Sequence, residues 1–391
     1  MNKEYLRRKE ENELDYAMRL ISLKKETKPD DLDWCDICEL LDLDYNPDSL
    51  RKAQDSQFGG LAVYKQMLER LADNSDTDLK EDLKTLKKLK LAIAEERASL
   101  AREYRQQNRV ESLREIAIEC VGKMPPLEKH VEIKNLTDYK TMIITLSDFH
   151  YGLEINEFNN IYDSNVFHSR FEHLLCEIIT HITANDINHL VVLGIGDFIS
   201  GIIHNVLRIE AREDVISQVI SVSEALISFL NNLADYAKID YYDCVGNHSR
   251  LFEDKNNCLA KESFDLLIHY ILEQRFINDK NININNFTIN EKIGEFELYG
   301  KKYAFTHGDN FNIDTLAKDL SQMTKQFYEA IFIGHIHHLY FEEQNGTLVA
   351  SNGSFAGNDE YSNKLRKTSN PSQNIFIVNK DGINTIIPIK L

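Results

Sequence analysis

The stretch that most limits what this chain can fold into is Ile331-Phe332-Ile333-Gly334-His335-Ile336-His337-His338. Three apolar residues, two of them β-branched, read as a short buried strand, and a glycine with three histidines crowds at its end. A buried strand that delivers imidazoles to one point calls for a layered sheet whose strand ends gather around a ligand. If that is the design, other strands must end in the same manner. They do: apolar runs at 142–146, 190–193, 239–245 and 302–306 are followed by Ser147-Asp148-Phe149-His150, Gly196-Asp197, Gly246-Asn247-His248 and Thr306-His307-Gly308-Asp309.

Helical spacing over 165–183 and 209–233 separates the first three of these strands, and further strands are expected at 296–299, 330–333 and 348–351, with a closing hairpin around Lys380-Asp381-Gly382. Alternation of this kind predicts an α/β fold, a layered β-sheet sandwich flanked by helices, with its polar residues at the carboxyl ends of the strands.

Before Met124-Pro125-Pro126 the pattern is different. Residues up to about 27 read as a charged helical arm, Trp34-Cys35-Asp36-Ile37-Cys38-Glu39-Leu40-Leu41 as a short amphipathic helix, and 48–53 and 63–68 as two more, with Gly59-Gly60 between them. Short helices in this order resemble a helix-turn-helix module, in which Arg51 and Lys52 would contact a nucleic-acid backbone. Leu79, Leu83, Leu86, Ile93, Leu100 and Tyr104 then recur at near-heptad positions, a seam that asks for a partner copy or for docking on the catalytic domain. The expected organisation is a small helical module at 1–75, a long amphipathic helix at 76–122, a linker at 123–140 and the catalytic domain at 141–391.

The net charge is −18. Beyond residue 140 there are 33 acidic against 19 basic residues, a local net of −14, which repels polyanions unless metal ions or a separate basic module offset it. Six dispersed cysteines lack the spacing of a disulfide framework or of a paired zinc motif. No apolar run approaches the ~20 residues of a membrane span, and Met1-Asn2-Lys3-Glu4-Tyr5 is too polar for a signal peptide, so a cytoplasmic protein is expected.

Taken in order, the five strand-end blocks resemble the signature of the calcineurin-like metallophosphoesterase superfamily, DxH, GD, GNH, a lone H and GHxH, over roughly residues 141–391. The resemblance implies a pair of divalent ions about 3.5–4 Å apart, bridged by a carboxylate that lessens their repulsion. By that resemblance Asp197 is the bridge, Asp148, His150 and His337 hold one ion, and Asn247, His307 and His335 hold the other. Mixed nitrogen and oxygen ligands suit manganese first, with iron or zinc as alternatives, better than magnesium or calcium. Water activated by such ions attacks phosphorus without a covalent intermediate. His248 is implied to touch the substrate phosphate or to protonate the leaving oxygen.

Two positions depart from the commonest family pattern. Ser200 stands where an acid usually follows the bridging aspartate by three residues, and Ser249 where Asp or Glu usually follows the GNH histidine. His204 and Arg250 are nearby candidates for proton donor and phosphate ligand. His338 is set aside, as is Asn352-Gly353-Ser354, which resembles a structural turn of the fold. The run from Asn352 through Gln373 and the block Gly246–Arg250 are similar to phage-encoded, exonuclease-like members. The expected function is therefore a two-metal phosphodiester hydrolase, a nuclease acting on DNA or RNA. The alternative is a phosphatase or cyclic-nucleotide phosphodiesterase for small substrates, with the helical region serving oligomerisation.

Overall fold

In the computed structural model of the chain, residues 5–9, 11, 13–26, 32–43, 46–47, 115, 117–119, 121–127, 130, 133, 140–203, 213–252, 254 and 258–391 are described. The chain divides into two units, Met1–Gln106 and Gln107–Leu391.

In the first unit the charged arm forms α1 (Glu13–Glu26) and the amphipathic octet forms α2 (Trp34–Leu40). Asp33 starts α2: its carboxylate accepts the Asp36 N–H while the Asp36 side chain accepts the Asp33 N–H, satisfying donors that a helix start would otherwise leave bare. Tyr16, Ala17 and Leu20 of α1 meet Ile37 and Cys38 of α2 in one apolar cluster. Cys38 is thus a packing residue, and Cys35 is exposed. The helix-turn-helix-like segments with Arg51 and Lys52, and the heptad seam from Leu79 to Tyr104, lie outside the described residues.

The second unit begins its sheets with β1 (Thr141–Leu146), the hairpin β2 (Ile155–Glu157) and β3 (Asn160–Tyr162), α3 (Ser164–Asn185), β4 (His189–Gly194), α4 (Val215–Leu233) and β5 (Lys238–Asp243). There follow α5 (Phe264–Phe276), β6 (Ile282–Ile284), β7 (Ile293–Leu298), β8 (Lys301–Thr306), α6 (Leu316–Thr324) and β9 (Ala330–Ile333). The chain ends with β10 (Tyr340–Gln344), β11 (Thr347–Ser351), α7 (Glu360–Leu365), β12 (Ser372–Asn379) and β13 (Gly382–Lys390). One sheet has the order β13-β12-β1-β4-β5-β6 and the other β10-β11-β9-β8-β7. The central strands of each are parallel: β1, β4 and β5 in the first, β8, β9 and β11 in the second.

These strands read as unbroken apolar runs because both faces are covered. Along β1 and β4, Met142, Ile144, Leu190 and Val192 pack on Phe167, Leu226 and Ile268 of α3, α4 and α5. The alternate residues Ile143, Val191 and Leu193 meet Phe305 and Phe332 of the second sheet. On that sheet's far side, Ile331, Ile333 and Val349 pack under Leu316 and Leu320 of α6. The result is a helix–sheet–sheet–helix sandwich, in which each buried large side chain contributes about 1.5–3 kcal/mol. The α/β expectation holds.

The expected boundaries at 75, 122 and 140 differ from the division after Gln106. Ala117 is only 2% exposed within the core of the second unit, with Val121, Met124 and Leu127 packed beside it. His130 Nδ1 lies 2.8 Å from an Asp235 carboxylate oxygen, and the Ile133 N–H donates to Asn281. Met124-Pro125-Pro126 does end a helix, but Val121, Met124 and Leu127 around it are half-buried against the core of the second unit.

Candidate metal centre

Each strand end makes a sharp turn. Asp148 and His150 after β1, Asp197 after β4, and His335 and His337 after β9 all have positive φ, between 44° and 65°. The left-handed backbone costs a non-glycine residue about 1–3 kcal/mol, and it persists where the surroundings over-determine it. Here the loops are zipped together: the Asp148 and His150 N–H groups donate to the Gly196 and Asp197 carbonyls. Phe149, between the two ligands, anchors the first loop with its ring 4.7–5.8 Å from those of Phe167, Phe171, Phe198 and Phe355. The second and third loops touch at their glycines. A Cβ on Gly246 would meet Asp197 Oδ1 at 2.1 Å, and one on Gly196 would meet the Gly246 nitrogen at 2.4 Å, which is why GD and GNH need glycine there.

The turns bring together all seven residues expected to hold metal. His150 Nε2 and His337 Nε2 are 3.1 Å apart, with Asp148 Oδ1 3.3 Å from the latter and 3.9 Å from the former. His307 Nε2 is 3.1 Å from both Asp197 Oδ2 and Asn247 Oδ1, and His335 completes this group with its ring 5.1 Å from that of His307. Ligands about 2.1 Å from one ion stand about 3.0–3.4 Å apart in octahedral or tetrahedral geometry, and the 3.1–3.3 Å separations in each group match such edges. Asp197 is within 4.8 Å of ligand atoms on either side, with His150 and His248 in one group and with His307 and His335 in another. That is the place of a bridge. Asp148, His150, Asp197 and His307 are buried, and His335 is exposed, so the centre opens past His335.

The charges fit cations. Burial disfavours ionisation of Asp148 and Asp197, but the surrounding histidines, His337 for the first and His307 for the second, hold both carboxyls below the usual range. Burial, with the neighbouring His248 and His337, drives His150 well below its ordinary value. Burial opposes a charge on His307 too, yet Asp197 lifts it to about 10. His150 Nδ1 is buried without a hydrogen-bond partner, and Asp197 Oδ2 is buried against His307 Nε2 at 3.1 Å. Two fully buried carboxylates among converging imidazoles suit a pair of divalent ions far better than a neutral core. The Nδ1–H of His307 donates to the Ile195 carbonyl at 2.9 Å, directing Nε2 inward, and the His335 N–H donates to Asp148.

The remaining predicted residues fall differently. His248 sits at the centre with its ring 4.6 Å from that of His150, its N–H donating to Asp197 Oδ1 and its Nδ1–H to the Ser200 carbonyl at 3.2 Å. The acid absent at Ser200 is thus replaced as orienter by the backbone of that same residue, whose hydroxyl donates to Gln218. Arg250 donates to the carbonyls of Phe252 and Asn247, both at 3.0 Å, and so clamps the loop that carries Asn247. His204 lies outside the described residues. His338 is exposed in a loop, with Nδ1 2.8 Å from the Ile336 carbonyl, so it is the turn and not an opposite strand face that keeps it away. Asn352 is structural as expected, accepting the Thr145 hydroxyl and donating to Ser147 beneath the first loop.

Sequence reading missed Asp265, a buried acid in the first turn of α5 that accepts from the Gly246 N–H and the Ser249 hydroxyl. Burial pushes its carboxyl up to about 7 against those two hydrogen bonds. Its only sequence signal, Ser263-Phe264-Asp265, is that of a helix start.

The family model of the calcineurin-like phosphoesterase superfamily domain matches residues 205–368 of this chain, and the two-layered sheet sandwich with Asp, Asn and His side chains at its strand ends has the calcineurin-like fold. Across its length the chain is similar to the SPbeta prophage-derived uncharacterized protein YonJ of Bacillus subtilis strain 168, 26% identical over 95% of this chain and 94% of that one. Solved structures that match include an archaeal phosphodiesterase at 14% identity and a TM-score of 0.33, covering 64% of this chain and 99% of that one. Vps29 with Zn2+ from Entamoeba histolytica matches at 10% identity and a TM-score of 0.31, over 64% of this chain and 98% of that one. Among the described residues no helix is long and apolar enough to cross a membrane.

Proposed function

We propose that this chain is a two-metal phosphodiesterase acting on nucleic acid, with Mn2+ as its preferred ion. The observation that carries the metal-dependent part is the buried Asp197, reached from both sides by histidine groups with coordination-shell spacing. When bound, the ions lower the pKa of water and neutralise charge on phosphoryl oxygens. Asp148, His150 and His337 would hold one and Asn247, His307 and His335 the other, with Asp197 shared between them. His248, fixed by its Nδ1–H on the Ser200 carbonyl, turns its other ring nitrogen to a substrate oxygen, where the imidazolium form, protonated on both nitrogens, delivers a hydrogen bond or its proton. Arg250 serves by holding Asn247 in place.

The nucleic-acid substrate is favoured by the rim. The β2–β3 hairpin carries Phe158, 90% exposed, and Ile161, 63% exposed. Asn363 of α7 donates to Glu157 of this hairpin, and α7, whose Lys364 is paired with Glu360, leads into Arg366 and Lys367. The loop before α7 is bonded to the centre itself, with the Phe355 N–H on the Asp148 carbonyl and the Ser354 N–H on the His337 carbonyl. An exposed aromatic ring and cations joined to a metal centre suit a base and its backbone. The prophage origin of the relative agrees with such a substrate. The acidic balance of 33 to 19 beyond residue 140 speaks instead for a small phosphoester. A screen with Mn2+ against linear DNA, single-stranded DNA, RNA, cyclic nucleotides and chromogenic mono- and diesters tests the choice. Nucleic-acid cleavage that stops with chelator is expected; rapid turnover of a mononucleotide or cyclic nucleotide alone overturns the nuclease reading.

A further inference from the structure

Ser249 stands where the family pattern has an acid, and in the fold an acid arrives there from another element. Asp265 is 5% exposed, and its Oδ2 accepts the Gly246 N–H at 2.8 Å and the Ser249 hydroxyl at 2.6 Å. Those two donors bracket Asn247 and His248, so one carboxylate oxygen grips both ends of the segment that carries a metal ligand and a substrate group. The grip is continuous with the start of α5: the Phe264 N–H donates to the Ser249 carbonyl at 2.7 Å, and Ser263 Oγ is 2.8 Å from Ser249 Oγ. On its other side the segment bears on Asp197, through the His248 N–H at 2.7 Å and through Gly246, which has no room even for a methyl group.

We propose that Asp265 is a positioning residue that holds Asn247 on the second ion and His248 toward the substrate, doing from α5 what the absent acid after the GNH histidine would otherwise do. The inference rests on the two-ion reading of the centre. Helix α5 is bound into the large core by Ile268, Ile271 and Leu272, so the carboxylate is fixed to a packed layer and adds a bond at each end of a loop that is also held by Asp197 and Arg250. Carboxylate-accepted bonds of this length are stronger than neutral ones, and supports of this kind govern metal affinity about 10–100-fold.

The test titrates full-length protein with Mn2+ by calorimetry and reads the exchange coupling of the bound pair by electron paramagnetic resonance. Wild type is expected to take up two ions with a coupled spectrum. Asp265→Ala should keep the first ion, weaken the second about 10-fold or more and lose the coupling, while Asp265→Asn, whose amide oxygen accepts the same two bonds, stays within about 3-fold of wild type. An Asp265→Ala protein with wild-type second-ion affinity and coupling overturns the inference, as does an Asp265→Asn protein that loses as much as the alanine variant. Should the alanine variant not fold, Ser249→Ala decides: it keeps the acid and removes one donor, so weaker second-ion binding is expected and unchanged binding is contrary. Wild-type protein that binds no ion pair overturns the metal reading itself.

Discussion

Metal ligands that must sit in the left-handed backbone region, as Asp148, His150, Asp197, His335 and His337 do, spend folding energy on their own placement. Their types and order were readable in the sequence because coordination chemistry admits few side chains. Which residues support them was not readable, since Asp265 and the Ser200 carbonyl act through proximity alone. At this scale His248 separates metal binding from chemistry. His248→Ala should retain both ions by elemental analysis while kcat falls about 10²–10³-fold; loss of an ion would make His248 a ligand. His307 sets the pH behaviour. Raised to about 10 by Asp197, it keeps its proton through the neutral range, and an ion must expel that proton to bind. Apparent metal affinity should therefore climb from pH 6 toward 10, with proton release seen as buffer-dependent heat. Because the folded value lies above the ordinary 6.5, the same proton stabilises the metal-free fold fully below that pH and the benefit fades as pH rises toward 10. Melting temperature in chelator should fall over that range, and the fall should shrink in Asp197→Asn.

Elements differ in how openly the sequence announces them. The central β strands were visible as apolar and aromatic runs because both faces of their sheets are covered, whereas β6 and β10 were not foreseen, and the ends of those foreseen were off by up to three residues, as with β5, which stops at Asp243 and not at 245. The β2–β3 hairpin was not foreseen: three residues on each side of a two-residue tip leave almost no periodicity to read. Its exposed Phe158 makes it the natural element on which to test substrate. Phe158→Ala should weaken single-stranded nucleic-acid binding on the order of 10-fold, the loss of one stacked base, and leave hydrolysis of a small chromogenic diester nearly unchanged. Equal loss on both substrates would mean that the hairpin shapes the centre instead of meeting a base.

Over the whole molecule, the division after Gln106 provides the cut that separates the two units, because Ala117 belongs to the core of the second unit and a cut at 122 would breach it. If the first unit and its basic residues hold a strand, residues 107–391 alone should cleave a small diester as the full chain does but bind long DNA less tightly, with a shallower dependence on salt since fewer counterions are released. Identical salt slopes in filter binding would remove nucleic-acid guidance from the first unit. By itself the sequence determined the α/β sandwich, the order of its strand ends and the seven residues that converge there as candidate ligands, because buried strands and coordination chemistry impose short-range patterns that one chain displays directly. Only the tertiary structure decided that Ser200 orients His248 through its carbonyl, that Arg250 holds its own loop, that Asp265 reaches in from α5 and that 117–133 docks on the core. Each of these depends on residues far apart in the chain meeting at a hydrogen-bond distance, and no local pattern encodes such a meeting.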